Sequence, residues 1–381
     1  MEEPRDGYEF LKQLEKEKGK EVNRYREFSY FLDRKAREKG IPILGQFELT
    51  PLCNFNCKMC YVHLTKAQMQ ERNLLTVEDW KDLIHQAWKA GMIDATLTGG
   101  ECLTYPGFKD IYLYLQSLGC EVSVLTNGAL IDDDWIRFFL KNKPASIQIT
   151  LYGQNEEVYE RVTGQRSFTK VTENIRKILV AGLPLCLAVT PNKYLGQDAF
   201  DTIRLAKTFD ANVSVNNVLM TPREETGRSG QKDDSEIDFY VKLKSLLAGK
   251  EESEIQLVPE DRLPPVGGPV HECSQCGLQC GGGRSSFNID WKGNMYPCNQ
   301  LYMVKSFPLR TSFSEAWKQM NQIVERWPRV PECEGCAYES VCSNCAGQVI
   351  RFTKPGKQPF QLCERTRYLV QHGVLDIPGC E

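Results

Sequence analysis

The sequence predicts an α/β protein: a parallel sheet of six strands alternating with helices, followed by a small cysteine-rich module. Three observations predict it. From about residue 43 to residue 220, strand-like apolar runs alternate with amphipathic stretches of helical period. Gly91, Gly119 and Gly182 fall where helices should end. The cysteines are unevenly spread: of 16 in 381 residues, three lie between Cys53 and Cys60 and ten from Cys273 onward. Strands that alternate with helices impose a parallel sheet with right-handed crossovers, either doubly wound or a partial barrel. Both put ligands at the carboxyl ends of the strands.

The elements follow in order. Residues 1 to about 40 are rich in Glu, Lys and Arg with scattered Tyr, Phe and Leu, and read as one or two amphipathic helices. Strand-like runs occupy Ile43–Thr50, Ala95–Thr98, Val122–Thr126, Ser146–Leu151, Leu185–Thr190 and Val213–Leu219. Helical runs between them occupy Val77–Ala90, Phe108–Leu118, Asp133–Leu140, Val171–Ala181 and Ala199–Thr208. Thr221–Asp234 is polar with two glycines and reads as a flexible loop, and Glu236–Leu247 reads as a sixth helix. Pro259–Pro269 carries four prolines and two glycines and reads as a linker. The chain therefore divides into an N-terminal helical extension (1–40), the alternating domain (41–258) and a cysteine-rich domain (259–381). The last domain reads as loop-rich, too poor in core to fold without metal.

Composition narrows the function. Apolar residues make up 41% and charged residues 25%, with a formal net charge of -3. That balance disfavours nucleic acid or an anionic membrane as the main partner. The longest apolar stretch, Ile178–Val189, is broken by Gly182 and Pro184 and is too short to span a bilayer. The acidic N-terminus lacks the marks of a secretory signal, so a cytoplasmic protein is expected. In that reducing compartment clustered cysteines bind metal or do chemistry rather than form disulfides.

Cys53, Cys57 and Cys60 form CxxxCxxC directly after the first strand. Three thiolates suit a four-iron cluster and leave one iron open, the mark of a catalytic metal. The competing readings are a zinc site completed by His63, or ordinary core cysteines. The motif resembles that of the radical SAM superfamily, whose partial (β/α)6 barrel agrees with the alternation above. The resemblance implies that the open iron binds S-adenosylmethionine (SAM). Reductive cleavage of its sulfonium then gives a 5′-deoxyadenosyl radical that abstracts hydrogen from substrate under anaerobic conditions.

Further positions join the resemblance. Gly99-Gly100-Glu101 ends the second strand where the family has its GGE motif: the glycines admit close approach to ligand, and Glu101 would accept from the SAM ammonium. Thr126, Asn127 and Thr150 end the third and fourth strands and would contact ribose or the methionine end. Arg161 would pair with the SAM carboxylate, Tyr61 closes the cysteine motif beside SAM, and Thr190-Pro191-Asn192 would touch adenine. Cys102 follows Glu101 and is the candidate hydrogen-atom donor, or else a small spacer. Cys120 and Cys186 read as core, and Cys380 as incidental.

The C-terminal cysteines resemble the SPASM extension of peptide-modifying radical SAM enzymes. Cys280 and Cys298 flank two strand-like runs around a Gly-Asn turn, so a hairpin brings them close. By resemblance, one auxiliary four-iron cluster uses Cys280, Cys298, Cys345 and Cys276, with Cys273 competing for the last place or no fourth ligand at all. The other uses Cys333, Cys336, Cys342 and Cys363. A single zinc on Cys333, Cys336, Cys342 and Cys345 is the alternative. With three clusters, the auxiliary pair would accept a second electron, implying net oxidation: a thioether or carbon–carbon crosslink on a ribosomally made precursor peptide. A flavodoxin or ferredoxin-type protein would donate electrons. Only about 40 residues precede the first strand, too few for a winged-helix leader-binding module, so a leader would bind elsewhere, through a separate leader-binding partner, or not at all. The alternatives are a peptide epimerase using Cys102, a sulfatase-type maturase oxidising a Cys or Ser side chain, and a non-catalytic iron–sulfur or zinc scaffold.

Overall fold

The structure, a computed structural model, describes residues 24–69, 73–216, 220–227, 277–342 and 345–373, together with 242, 243, 246, 261, 263–266, 375 and 377. The first part of the N-terminal extension, Cys273, Cys276 and Cys380 lie outside the described residues, as do most of the expected sixth helix and of the proline-rich linker.

Helix α1 (Arg24–Lys39) leads into strand β1 (Leu44–Glu48). The strands β2 (Asp94–Thr98), β3 (Glu121–Thr126), β4 (Ser146–Thr150), β5 (Leu185–Val189) and β6 (Asn212–Val215) follow, all parallel. Between them run α2 (Val77–Lys89), α3 (Phe108–Ser117), α4 (Asp133–Lys141), α5 (Glu156–Thr163), α6 (Phe168–Val180) and α7 (Asp198–Thr208). The order across the sheet is β6-β5-β4-β3-β2-β1, so each strand lies beside its predecessor. A doubly wound sheet reverses direction at a switch point. None occurs here, and the partial barrel is the form the alternation takes.

Local chemistry explains the joints. Thr76 and Asp79 form a reciprocal cap at the start of α2: the Thr76 hydroxyl accepts from the Asp79 N–H, and the Asp79 carboxylate accepts from the Thr76 N–H. Asp132 and Asn155 cap α4 and α5 in the same N-terminal position. Gly119 adopts φ 78°, the left-handed turn that lets α3 stop and β3 begin. The sheet interior is continuous: Phe47, Leu97, Val124, Ile147 and Leu187 are all 0% exposed. The eight-residue α5 was not expected from the sequence, where Asn155 and two glutamates precede only a short apolar stripe.

Strand β7 (Ser286–Ile289) adds to the free edge of β1 in parallel, and β8 (Met295–Tyr296) pairs antiparallel with β7. These two strands are the expected hairpin, and they extend the barrel's own sheet. The loop-rich expectation for the remainder is corrected. Helices α8 (Phe313–Glu325), α9 (Ala346–Phe352) and α10 (Phe360–Gln371) follow. Helix α8 sends Phe313, Ala316, Trp317, Met320 and Val324 into the main core, an i, i+3, i+4, i+7 stripe. Among the described residues, no helix is long and apolar enough to cross a membrane.

Candidate functional site

The loop from Thr50 to His63 crosses the carboxyl ends of the strands, and the Gly-Gly-Glu stretch holds it there. The Gly100 N–H donates to the Thr50 carbonyl (2.7 Å) and the Glu101 N–H to the Leu52 carbonyl (2.8 Å). A Cβ on Gly99 would stand 2.5 Å from the Thr50 carbonyl oxygen, and one on Gly100 2.5 Å from that of Leu52. Only glycine lets the two backbones meet this closely.

Cys53, Cys57 and Cys60 thereby face a cavity of about 430 Å³. Its wall takes Gly99 and Gly100 from the end of β2, Thr126 and Asn127 from β3, and Thr150 from β4. Tyr61, Gln148, Thr190, Asn216 and Asn299 also face it. Burial pushes the Cys53 thiol up to about 12. Backbone donors nevertheless aim at the sulfurs: the Phe55 N–H at Cys53 and the His63 N–H at Cys60, both at 3.3 Å. Such donors favour the thiolate once metal displaces the proton. Three thiols at a cavity mouth with N–H groups already directed at them fit a cluster that keeps one open iron.

Glu101 stands behind this wall. It is 1% exposed, and its carboxylate accepts from the Thr126 hydroxyl (2.8 Å), the Asn127 N–H (2.8 Å) and the Leu103 N–H (3.1 Å). It ties β2 to β3 and does not line the cavity. Asn127 carries the link onward, its carboxamide donating to Asn54 (2.8 Å) beside Cys53. Cys102 is 0% exposed, with its sulfur 3.2 Å from the Leu125 carbonyl, and it too lies outside the cavity lining. Burial raises its thiol well above the ordinary value. Arg161, in the last turn of α5, pairs with Asp198 and donates to the Tyr194 carbonyl (3.1 Å), away from the lining.

The sequence reading missed Arg223, which lies 3% exposed in the stretch expected to be a flexible loop. Its guanidinium grips both oxygens of Glu48 at 2.6 and 2.7 Å and donates to the Tyr296 hydroxyl at 3.1 Å. The Tyr61, Tyr296 and Tyr302 rings surround it, Tyr302 at 4.0 Å. The Arg223 N–H bonds the Tyr61 carbonyl, and Glu225 pairs with Lys292 at 2.7 Å. Residues 220–227 are thus a strap from the cysteine loop to the hairpin, and Met220 on it lines the cavity. One of three basic residues in a polar stretch, Arg223 carried no signal of this.

A second cavity of about 680 Å³ is lined by Cys280, Cys333, Cys336, Cys342, Cys345 and Cys363. Burial raises Cys298 to about 11, and the Cys345 and Cys280 thiols add to the rise. Burial likewise raises Cys363, with Cys342 and Cys336 adding to it. The thiols therefore gather as Cys280/Cys298/Cys345 and Cys336/Cys342/Cys363, with Cys333 on the same cavity wall. A tetrahedral zinc needs its sulfurs about 3.8 Å apart, given Zn–S bonds of about 2.3 Å. Among the described residues, no three His, Cys, Asp or Glu side chains converge to share one ion. Cluster cysteines, each on its own iron, need no such convergence. Asn299, on the wall of the first cavity, directly follows Cys298 of the Cys280 group.

Comparison with known proteins agrees with this arrangement. Residues 47–224 match the radical SAM superfamily. The chain is 26% identical over 333 residues to the AdoMet-dependent heme synthase of Methanosarcina barkeri, covering 82% of this chain and 93% of that protein. It is 29% identical over 164 residues to the sporulation killing factor maturation protein SkfB of Bacillus subtilis, covering 43% and 39%. The fold matches Streptococcus suis SuiB, solved bound to precursor peptide SuiA, with TM-score 0.60 at 15% identity over 91% of this chain and 82% of that one.

Proposed function

We propose that this chain, whose residues 47–224 match the radical SAM superfamily, is a radical SAM enzyme that matures a ribosomally made peptide by net oxidation. One juxtaposition carries the reading. Cys53, Cys57 and Cys60 face the same cavity as Asn299, and Asn299 is joined to Cys298 of the second thiol group. A radical-generating site and an electron acceptor would then border one substrate space. A four-iron cluster on the first three thiols, with SAM bound, supplies the 5′-deoxyadenosyl radical.

The chain's own residues do the rest. The Gly99 and Gly100 backbone, Tyr61, Thr126, Asn127 and Thr150 hold SAM against the loop. Glu101 acts through its bonds to Thr126 and Asn127, fixing both at the wall. Phe55, Met59, Val62 and Tyr152 line the cavity with apolar surface and exclude water. Gln148, Asn216 and Asn299 offer carboxamides that suit the N–H and C=O groups of a peptide. Cys280, Cys298, Cys345 and Cys276 hold one auxiliary cluster, and Cys333, Cys336, Cys342 and Cys363 the other. The domain limits proposed are 1–40, 41–258 and 259–381, with a flavodoxin or ferredoxin-type donor and a separate leader-binding partner. A maturation protein among the relatives supports a peptide substrate. Epimerisation through Cys102 has no support in the geometry, since that thiol is buried and does not line the cavity.

The test is anaerobic reconstitution with SAM, reductant and the short peptides encoded beside the gene. Wild-type protein should bind about 12 irons, form 5′-deoxyadenosine and give a peptide lighter by two hydrogens. Replacing Cys53, Cys57 and Cys60 with Ala should abolish SAM cleavage and retain the auxiliary absorbance; retained cleavage refutes the assignment. A second reading, a tetrapyrrole substrate, is favoured by the coverage of the heme synthase, 93% of its length. Turnover of a heme precursor with no peptide product would decide for it.

A further inference from the structure

We propose that Arg37, on the N-terminal helix, raises the reduction potential of the auxiliary cluster held by Cys280, Cys298 and Cys345. The inference rests on the auxiliary-cluster reading above. Helix α1 is fixed to the loop carrying Cys280 at two points. Asp33 accepts from the Ser285 hydroxyl at 2.6 Å, and Arg37 Nη1 donates to the Gln279 carbonyl at 3.4 Å. Arg37 Nη2 pairs with Asp33. The Nε–H is left buried and without a hydrogen-bond partner, on a side chain that lines the second cavity together with Cys280.

A buried donor left without an acceptor is expensive, and a cluster sulfur is an acceptor. Reduction adds one negative charge to a cluster that is already anionic. A cation at its edge favours that added charge and so raises the potential, although the quarter-exposed Arg37 side chain and the exposed Cys280 leave the effect partly screened by water. The other charged groups of the cavity belong to the segment bearing Cys333 and Cys336: Arg329 faces Glu339 at 3.8 Å, and Glu332 precedes Cys333. Arg37 is the cation on the Cys280 side among the described residues lining it. The electron released when substrate is oxidised would find its acceptor there.

The experiment is anaerobic potentiometric titration of the holoenzyme, followed by electron paramagnetic resonance and iron analysis. In Arg37→Gln, iron content should match wild type, one auxiliary midpoint should fall, and the SAM-cluster signal should not move. Arg37→Lys, which keeps the charge, should lie between. Asp33→Asn, which leaves the cation less compensated, should raise the same midpoint. Full iron with unshifted midpoints in Arg37→Gln overturns the proposal. If Arg37→Gln loses iron, Asp33→Asn decides, and an unshifted midpoint there overturns it equally. Wild-type protein with about four irons would instead sink the auxiliary-cluster reading itself, and this proposal with it.

Discussion

Arg223 and Glu48 carry opposite charges at a depth where neither tolerates isolation, at 3% and 1% exposure. Both carboxylate oxygens are gripped, so Glu48 is satisfied, while the Arg223 Nε–H is left buried without a partner. Removing one partner is another matter, because it leaves an uncompensated charge in a dry site. Arg223→Met should cost about 3–5 kcal/mol. The double variant Glu48→Leu/Arg223→Met should recover most of that, since a buried pair replaced by apolar volume is often neutral. Denaturant unfolding of both reads this directly, and equal losses in the two would mean the pair is not the unit. Cys102 offers the opposite expectation. Its thiol is fully buried, meets the Leu125 carbonyl and does not line the cavity. Cys102→Ala should leave the ratio of product to 5′-deoxyadenosine within about twofold of wild type. A collapse of product with SAM cleavage intact would restore it as a hydrogen donor.

At the scale of elements, the sequence made the barrel legible because each strand is a short apolar run closed by a glycine or a cap. Some boundaries moved by one residue, as for Val77–Lys89 and Leu185–Val189, and others by more: Phe168–Val180 starts three residues before its expected start, and Asn212–Val215 ends four before its expected end. The cysteine positions were legible for the same local reason: spacing along the chain is visible. What the sequence hid was long-range. Arg223 reaches Glu48 across 175 residues, and no local pattern announces such a partner. Likewise Glu101 and Cys102 sit beside the motif glycines, yet their side chains turn behind the wall, a matter of backbone direction rather than residue type. The C-terminal helices α9 and α10 are short and interleaved with cysteines, which obscures their period, whereas the α8 stripe is regular. Helix α9 has a consequence of its own. A Cβ on Gly347 would stand 2.2 Å from Gln300 Cβ, so α9 lies directly on the turn after Cys298. Gly347→Ala should therefore push Cys345 from Cys298 and cost about four irons per chain. Iron analysis beside unimpaired SAM cleavage checks it, and full iron content would show that the turn yields.

At the scale of the whole molecule, the boundary proposed near residue 259 does not divide the sheet. The β1 strand has two neighbours, β2 on one side and β7 on the other, and β7 comes from beyond that boundary. The seam is apolar: Phe287 lies 5.8 Å from Phe47, 5.0 Å from Phe313 and 6.1 Å from Trp317. Helix α8 is fastened to the N-terminal side as well, its Trp317 indole N–H donating to the Gly40 carbonyl at 2.7 Å. Burying each large apolar side chain contributes about 1.5–3 kcal/mol. Phe287, Ile289, Phe313 and Trp317 together therefore approach the whole stability of an ordinary domain, about 5–15 kcal/mol. A chain ending at residue 258 would also bare the β1 edge, whose free N–H and C=O groups invite pairing between copies. It should lose near-ultraviolet circular dichroism, elute as aggregates and fail to hold iron at Cys53, Cys57 and Cys60. A monomeric truncated chain that still cleaved SAM would mean the seam is dispensable. It would then be a docking contact between two independent domains rather than the flank that holds the first strand, and with it the cysteine loop, in place.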